Sequence, residues 1–289
     1  MTEPTPPYNP RPRKPKLKLP PGSCDAHFHV FGPKAEFPFA KDAAYVPADA
    51  PKEELFAMHE FLGIDRGVVV QSAAHGYDNR AAAGVIRDKK ERYVGVALLP
   101  VNVETDEIKR LHAEGFRGVR FNYVKHLGTA PPIDEVIKLG AKLASFGWHL
   151  QIHMESGLIE RMSASLKLSP VPVVIDHMGR IDAEQGLDQA PFRSLLKLLE
   201  DKKFWVKVSG AERASREGEP YSDAVPYARK LVETVGDRVV WGTDWPHPNL
   251  KAIPDDGILV DLIAQITSTE EQRQALLVDN PRRLYGFKA

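Results

Sequence analysis

Two histidines stand one residue apart in Cys24-Asp25-Ala26-His27-Phe28-His29-Val30, a short apolar run behind a proline-rich start. Side chains alternate along an extended strand, so Asp25, His27 and His29 should share one face. Cys24, Ala26, Phe28 and Val30 should share the other. Two imidazoles about 7 Å apart along such a strand can converge on one divalent ion. A solvated surface strand would show the same pair, so the weight falls on what else the chain brings beside it. Residues fit for chemistry recur in other apolar runs. Ser72 closes 67–72 (GVVVQS), and Arg120 stands in 118–121 (GVRF). His153 ends 149–153 (HLQIH), His177 ends 172–177 (PVVIDH) and Asp244 ends 239–244 (VVWGTD).

Something must hold these run ends together. With 24–30, 93–99 (YVGVALL) and 204–209 (FWVKVS), the runs number eight. They are near-continuously apolar, the pattern of parallel strands buried on both faces. Helical-period segments lie between them. Lys52–Leu62 follows Pro51 and stops at Gly63; Glu104–Glu114 stops at Gly115; Asp134–Phe146 stops at Gly147. Further helical patterns cover 78–89, 155–168, 190–201, 222–235, 256–266, 269–278 and 280–285. Eight strands alternating with helices predict an α/β fold, a (β/α)8 TIM-like barrel, whose active site forms at the C-terminal strand ends. An open doubly wound sheet is the competing architecture, but no GxGxxG follows the first run. The aromatic, proline-containing loop 31–50 would lie at the mouth, as a substrate lid.

Residues 1–22 hold eight prolines and five basic residues, and are expected to form an extended Pro-rich N-terminal arm. Residues 23–289 are expected to form a single barrel domain. The chain has 289 residues, formal net charge zero, 43% hydrophobic residues and one cysteine. No global field would draw it to nucleic acid or to a membrane, and no apolar run reaches the length of a span. A lone cysteine forms no intrachain disulfide, and the N-terminus lacks the apolar core of a secretory signal, so a cytoplasmic protein is expected. The oligomeric state stays open, a homo-oligomer included.

The constellation resembles the amidohydrolase superfamily: HxH on strand one, histidines closing strands five and six, aspartate closing strand eight. The finer resemblance is to its 2-pyrone-4,6-dicarboxylate hydrolase (lactonase) branch. It is carried by CDAHFHVFGP, EFPF, VVVQSAAHG, GFRGVRFN, VVIDHMGR, WGTDWPHPN, AIPDDG and NPRRLY, over nearly the whole chain. The resemblance implies that Asp244 is the general base that activates water. It implies that His27, His29 and His177 polarise the lactone carbonyl, and that Tyr45, Ser72, Arg120 and Arg213 bind substrate carboxylates, with Arg180 supporting the site. Two positions depart from that branch, which works without a metal. His153 stands where it has tyrosine, and His126 stands where it has a second carboxylate-binding arginine. The first departure restores the superfamily's mononuclear ligand set of His27, His29, His153 and Asp244. A related branch, the 4-sulfomuconolactone hydrolases, is similar to this combination: a lactonase that uses zinc.

The chemistry agrees with the resemblance. Three neutral imidazoles and a carboxylate suit Zn²⁺, which polarises carbonyls and lowers the pKa of bound water. One divalent metal and no organic cofactor are expected. The expected activity is hydrolysis of an anionic lactone in aromatic-compound breakdown. A metal-dependent decarboxylase on the same barrel, a metal-free lactonase and a non-catalytic anion-binding barrel are the alternatives. Arg120, Arg180, Arg213 and Lys125 fall near the mouth, where only Asp25 and Asp244 are evident acids, so the substrate should be anionic. His59, His112 and His149 are expected to be structural or exposed, and Cys24 to pack in the core. His75 and His247 are pocket candidates. For Lys207, strand parity allows a core-facing or a mouth-facing side chain.

Overall fold

The computed structural model describes residues 7–288. Its strands are β1 (Cys24–Phe28), β2 (Arg66–Val70), β3 (Tyr93–Ala97), β4 (Phe116–Tyr123), β5 (His149–Met154), β6 (Val173–Ile175), β7 (Phe204–Lys207) and β8 (Val239–Val240). Each pairs in parallel with the next in sequence, in a single eight-stranded sheet. The chain just beyond β8 returns to β1 and closes the ring. Ala26 N–H donates to Trp241 O (2.8 Å), Asp244 N–H to His27 O (2.8 Å) and His29 N–H to Trp245 O (2.7 Å). Gly242 permits this approach, since a Cβ there would lie 2.5 Å from His27 N.

Helices α1 (Lys52–Leu62), α2 (Arg80–Asp88), α3 (Thr105–Glu114), α4 (Ile133–Ala144), α5 (Ile159–Leu166) and α6 (Ala190–Leu199) follow the first six strands in turn. Then come α7 (Ala211–Ala214) and α8 (Val225–Val235) after β7, and α9 (Asp256–Ile266), α10 (Glu270–Gln274) and α11 (Asn280–Tyr285) after β8. α1 ends at Gly63 in the left-handed conformation (φ 82°), the stop read from sequence. α7 was not expected; four residues are too few for a helical period to register. No helix among the described residues is long and apolar enough to cross a membrane.

Valine-rich runs are buried on both faces because the barrel has two cores. Val68, Val70, Val94, Val96, Val174, Trp205 and Val240 fill the lower lumen with Cys24 and Ala26, and Tyr285 of α11 packs among them. The alternate positions, among them Val69, Val119, Ile152, Ile175 and Val206, pack against the helices. This is the layered filling of a (β/α)8 barrel.

Simple alternation fails in β1. Asp25 pairs with Gly67 and Phe28 with Val69, so two residues of β1 oppose one of β2. The bulge shifts the parity. Cys24 and Ala26 face the lumen below it, while His27 and His29 face the lumen above it. The expectation that Asp25 shares a face with the histidines is therefore corrected. Asp25 points outward and holds the bulge. Its Oδ1 accepts from His27 N (2.9 Å) and Thr243 N (3.1 Å), and its Oδ2 accepts from Thr243 Oγ1 (2.5 Å), with His59 Nε2 of α1 at 3.3 Å.

Residues 1–6 of the proline-rich arm lie outside the described residues. Farther along, Lys16 and Leu17 backbone N–H groups donate to Asp261 of α9 (2.7 and 2.9 Å). The Tyr8 ring packs 5.0 Å from that of Trp245, next to Asp244.

Candidate active site

Above the apolar floor lies a buried ionic layer built on lumen-facing positions of β1 and β4–β7. Asp176 is at its centre. Its Oδ2 accepts from Arg120 Nε (2.8 Å) and Gln151 Nε2 (3.1 Å). Its Oδ1 lies 3.6 Å from Lys207 Nζ and 3.4 Å from His27 Nδ1. Lys207 donates to Ala26 O (2.8 Å) and Gln151 Oε1 (2.9 Å), with His27 Nδ1 at 3.2 Å. Asp176 and Lys207 are completely buried. Burial alone would raise the Asp176 carboxyl, but Arg120, Lys207 and His27 hold it well below the ordinary carboxylate range. Burial pushes the Lys207 ammonium down to about 8, with Asp176 opposing. Lys207 thus faces the lumen, which settles what parity left open.

The mouth sits directly above. Asp244 and His177, just past β8 and β6, have left-handed backbones (φ 65° and 50°), as does Arg180 (φ 53°). Such conformations are costly for residues with a Cβ and cluster where side chains must be aimed. Asp244 Oδ1 faces three imidazole nitrogens: Nε2 of His29 at 3.4 Å, of His27 at 3.6 Å and of His177 at 3.9 Å. Its Oδ2 accepts from Arg213 Nε and Nη2 at 2.5 Å. Burial opposes ionisation of Asp244, but Arg213 and the histidines outweigh it and hold the carboxyl well below its usual range. Burial pushes the His177 imidazole down to about 3 and lowers those of His27 and His153 strongly. The imidazoles of His27, His153 and His177 are therefore neutral beside an ionised aspartate.

The donor set fits a divalent cation. His29 Nδ1–H donates to Val70 O (2.7 Å), which leaves a lone pair on Nε2 facing the Asp244 oxygen. Two acceptors turned toward each other call for a cation or a proton between them. Imidazoles that ligate metals anchor their other nitrogen in this way. His27 Nε2 is buried without a hydrogen-bond partner. Among the described residues, His27, His177 and Asp244 form a group whose ligand atoms lie within 4.8 Å of one another, and this group could hold a metal ion. The distances to Asp244 Oδ1 are near the roughly 3.3 Å separating two ligands held tetrahedrally at ~2.0–2.1 Å. His153, expected as a ligand, is not in that group. Its Nδ1 meets Asn122 Oδ1 (3.1 Å) and its Nε2 meets Arg180 Nη1 (3.4 Å).

The cleft over Asp244 is lined by His29, Tyr45, Arg120, His126, His153, His177, Arg180 and Arg213, with Leu127, Pro248 and Asn249 at its edge. Tyr45, from the long loop after β1, reaches Ser72 Oγ (3.0 Å). His126 lies on an exposed turn after β4, and Lys125 beside it is exposed. The expectation of unpaired arginines is corrected. Arg120 is tied to Asp176 and Arg213 to Asp244, so each guanidinium is anchored while its side chain lines the cleft. Other histidines are structural. His59 bonds Tyr93 Oη, His112 accepts from Trp148 Nε1, and His149 packs on Tyr285. His75 sits under the loop near Pro38 O, and His247 pairs with Asp256 (3.1 Å). Neither lines the cleft. Sequence reasoning missed Asp176, Gln151 and Asn122. The signal for Asp176 was present, since it keeps the lumen-facing parity of Val174.

Residues 24–287 match the amidohydrolase family model. The chain is 46% identical over 284 residues to a 2-pyrone-4,6-dicarboxylate hydrolase of Comamonas testosteroni, covering 95% of this chain and 93% of that one. It is 38% identical over 278 residues to a 4-sulfomuconolactone hydrolase of Hydrogenophaga intermedia, covering 94% and 91%. Among solved structures, a putative 2-pyrone-4,6-dicarboxylic acid hydrolase from Pseudomonas putida superposes with a TM-score of 0.82 at 31% identity, over 94% of this chain and 100% of that one.

Proposed function

The chain belongs to the amidohydrolase family, and from that premise we propose that it hydrolyses the ring ester of an anionic lactone, of the 2-pyrone-4,6-dicarboxylate or 4-sulfomuconolactone type. The observation that carries this reading is Asp244: ionised, buried, with one oxygen held by Arg213 and the other facing three imidazoles, in the wall of an arginine-lined cleft. The likeness to two lactone hydrolases over nearly the whole chain supports it.

In this reading Asp244 Oδ1 takes a proton from water as the water oxygen attacks the lactone carbonyl carbon. Negative charge growing on the carbonyl oxygen meets fixed positive groups, since Arg120, Arg180 and Arg213 line the same cleft. As the ring C–O bond breaks, Asp244 returns the proton to the leaving oxygen. Tyr45 walls the side toward the loop after β1 and orients the ring, its hydroxyl held by Ser72 Oγ at 3.0 Å. His27, His177 and Asp244 would hold a divalent ion, zinc by the nature of the donors, with His29 beside them. When bound, such an ion supplies a Lewis acid for the carbonyl.

Steady-state ultraviolet assays with 2-pyrone-4,6-dicarboxylate, 4-sulfomuconolactone and neutral sugar lactones test the reading. An anionic lactone should be opened with kcat/KM at least about 10-fold above the neutral ones, the smallest loss expected on removing one charged hydrogen bond. Equal rates on neutral lactones, or no anionic lactone opened, would defeat it.

A further inference from the structure

Arg180 has no carboxylate partner among the described residues, unlike Arg120 and Arg213 in the same cleft wall. Its Nη1 instead lies 3.4 Å from His153 Nε2. A guanidinium carries only donors, so Nε2 must accept. The imidazole proton then sits on Nδ1, where Asn122 Oδ1 accepts it at 3.1 Å. Asn122 and His153 are paired in register across β4 and β5, so this chain of contacts starts on rigid strands. It ends on an arginine at the cleft wall. His153 is outside the group of His27, His177 and Asp244 that could hold a cation.

We infer that His153 is a positioning residue: through the lone pair of Nε2 it aims Arg180 as the grip for one carboxylate or sulfonate of the substrate, and it is not a metal ligand. The inference deepens the lactone reading, on which the identity of the substrate rests, while the anion grip itself rests on the contacts above. Facing a guanidinium, which only donates, the imidazole has to accept. Asn122 fixes which nitrogen does so.

Binding tests this without turnover. Benzene-1,3-dicarboxylate, a planar dianion with no ester to open and no ring nitrogen to chelate a metal, is titrated calorimetrically into the wild type and four variants. These are Arg180→Met, His153→Phe, His153→Gln and the double His153→Phe/Arg180→Met. Metal content and thermal midpoint are measured on the same samples. Arg180→Met should weaken binding about 10- to 150-fold, the range for a charged hydrogen bond, and His153→Phe about 3- to 10-fold. His153→Gln keeps an acceptor and should stay within about twofold of wild type. The double variant should bind no more weakly than Arg180→Met alone, because His153 acts through that arginine. Metal content should not change in any variant. In the wild type, a long-range ¹H–¹⁵N spectrum should show His153 protonated on Nδ1, a readout that needs no variant to fold. Loss of metal in both His153 variants, additive weakening in the double, or an Nε2-protonated His153 would overturn the inference. Failure of the wild type to bind the dianion would overturn the grip, whereas binding without lactone turnover would overturn only the lactone reading.

Discussion

Replacing Asp176 by asparagine probes the layer on which the site is built. The substitution keeps shape and one oxygen but removes the only carboxylate among the described residues in contact with Arg120 Nε (2.8 Å) and Lys207 Nζ (3.6 Å). Both cations are buried, Lys207 completely and Arg120 to 4% exposure. Breaking a buried pair by removing one partner costs about 3–5 kcal/mol, because the other charge is left uncompensated. Total stability of such a domain is about 5–15 kcal/mol, so the variant should fold with a large fraction of it lost. Urea unfolding at pH 7, followed by circular dichroism, should show the midpoint falling with little change in slope. Adding Lys207→Met should recover part of the loss, since the orphaned ammonium is then gone, and the two substitutions should couple by about 0.5–3 kcal/mol. A loss below about 1 kcal/mol, or strictly additive effects, would refute the idea that Asp176 neutralises this layer.

Three further outcomes follow from the same geometry. Asp244→Asn should keep the fold, because the amide oxygen still faces Arg213, but should lower kcat about 10²–10⁴-fold in the lactone assay; more than a tenth of wild-type kcat would not fit a general base. Lys207 has a folded pKa depressed from 10.5 to about 8. The folded state then binds fewer protons than the unfolded state between those values, so its contribution to stability rises with pH across that window. Below pH 8 the full cost of about 3 kcal/mol is present. The stability difference between wild type and Lys207→Met should therefore shift by about that amount from pH 7.5 to pH 10.5, and a constant difference would contradict the assignment. Gly242→Ala should destabilise by about 1–3 kcal/mol in urea unfolding, since its Cβ would meet His27 N at 2.5 Å and Asp25 Oδ1 at 2.9 Å.

The eight strands were legible because a strand buried on both faces must be apolar throughout, and Val68–Val70 or Val173–Ile175 can be little else. Helix stops such as Gly63 were legible because a left-handed residue there favours glycine. Legible too was that His27, His29, His177 and Asp244 meet, since barrel strands deliver their ends to one mouth. The bulge was not. It inserts one residue without any composition signal, and it turned Asp25 outward while leaving His27 and His29 in the lumen. The ionic layer was not legible either. Lys207 bonds to Ala26 and Gln151, partners far from it in sequence, and single-strand parity does not reveal a partner. Strand and register placed His153 at the mouth; that its two nitrogens face Asn122 and Arg180 depends on other strands and loops, which its own run does not reveal.

The central claim is that water directed by Asp244 opens a lactone. Its most direct test is to run the purified enzyme on 2-pyrone-4,6-dicarboxylate and on 4-sulfomuconolactone in H₂¹⁸O and to weigh the products by mass spectrometry. The account predicts, for at least one of the two, a ring-opened acid with one ¹⁸O in the newly formed carboxylate, and little such product with Asp244→Asn. Unlabelled product, product short of one CO₂, or labelled product formed equally well by Asp244→Asn would contradict it.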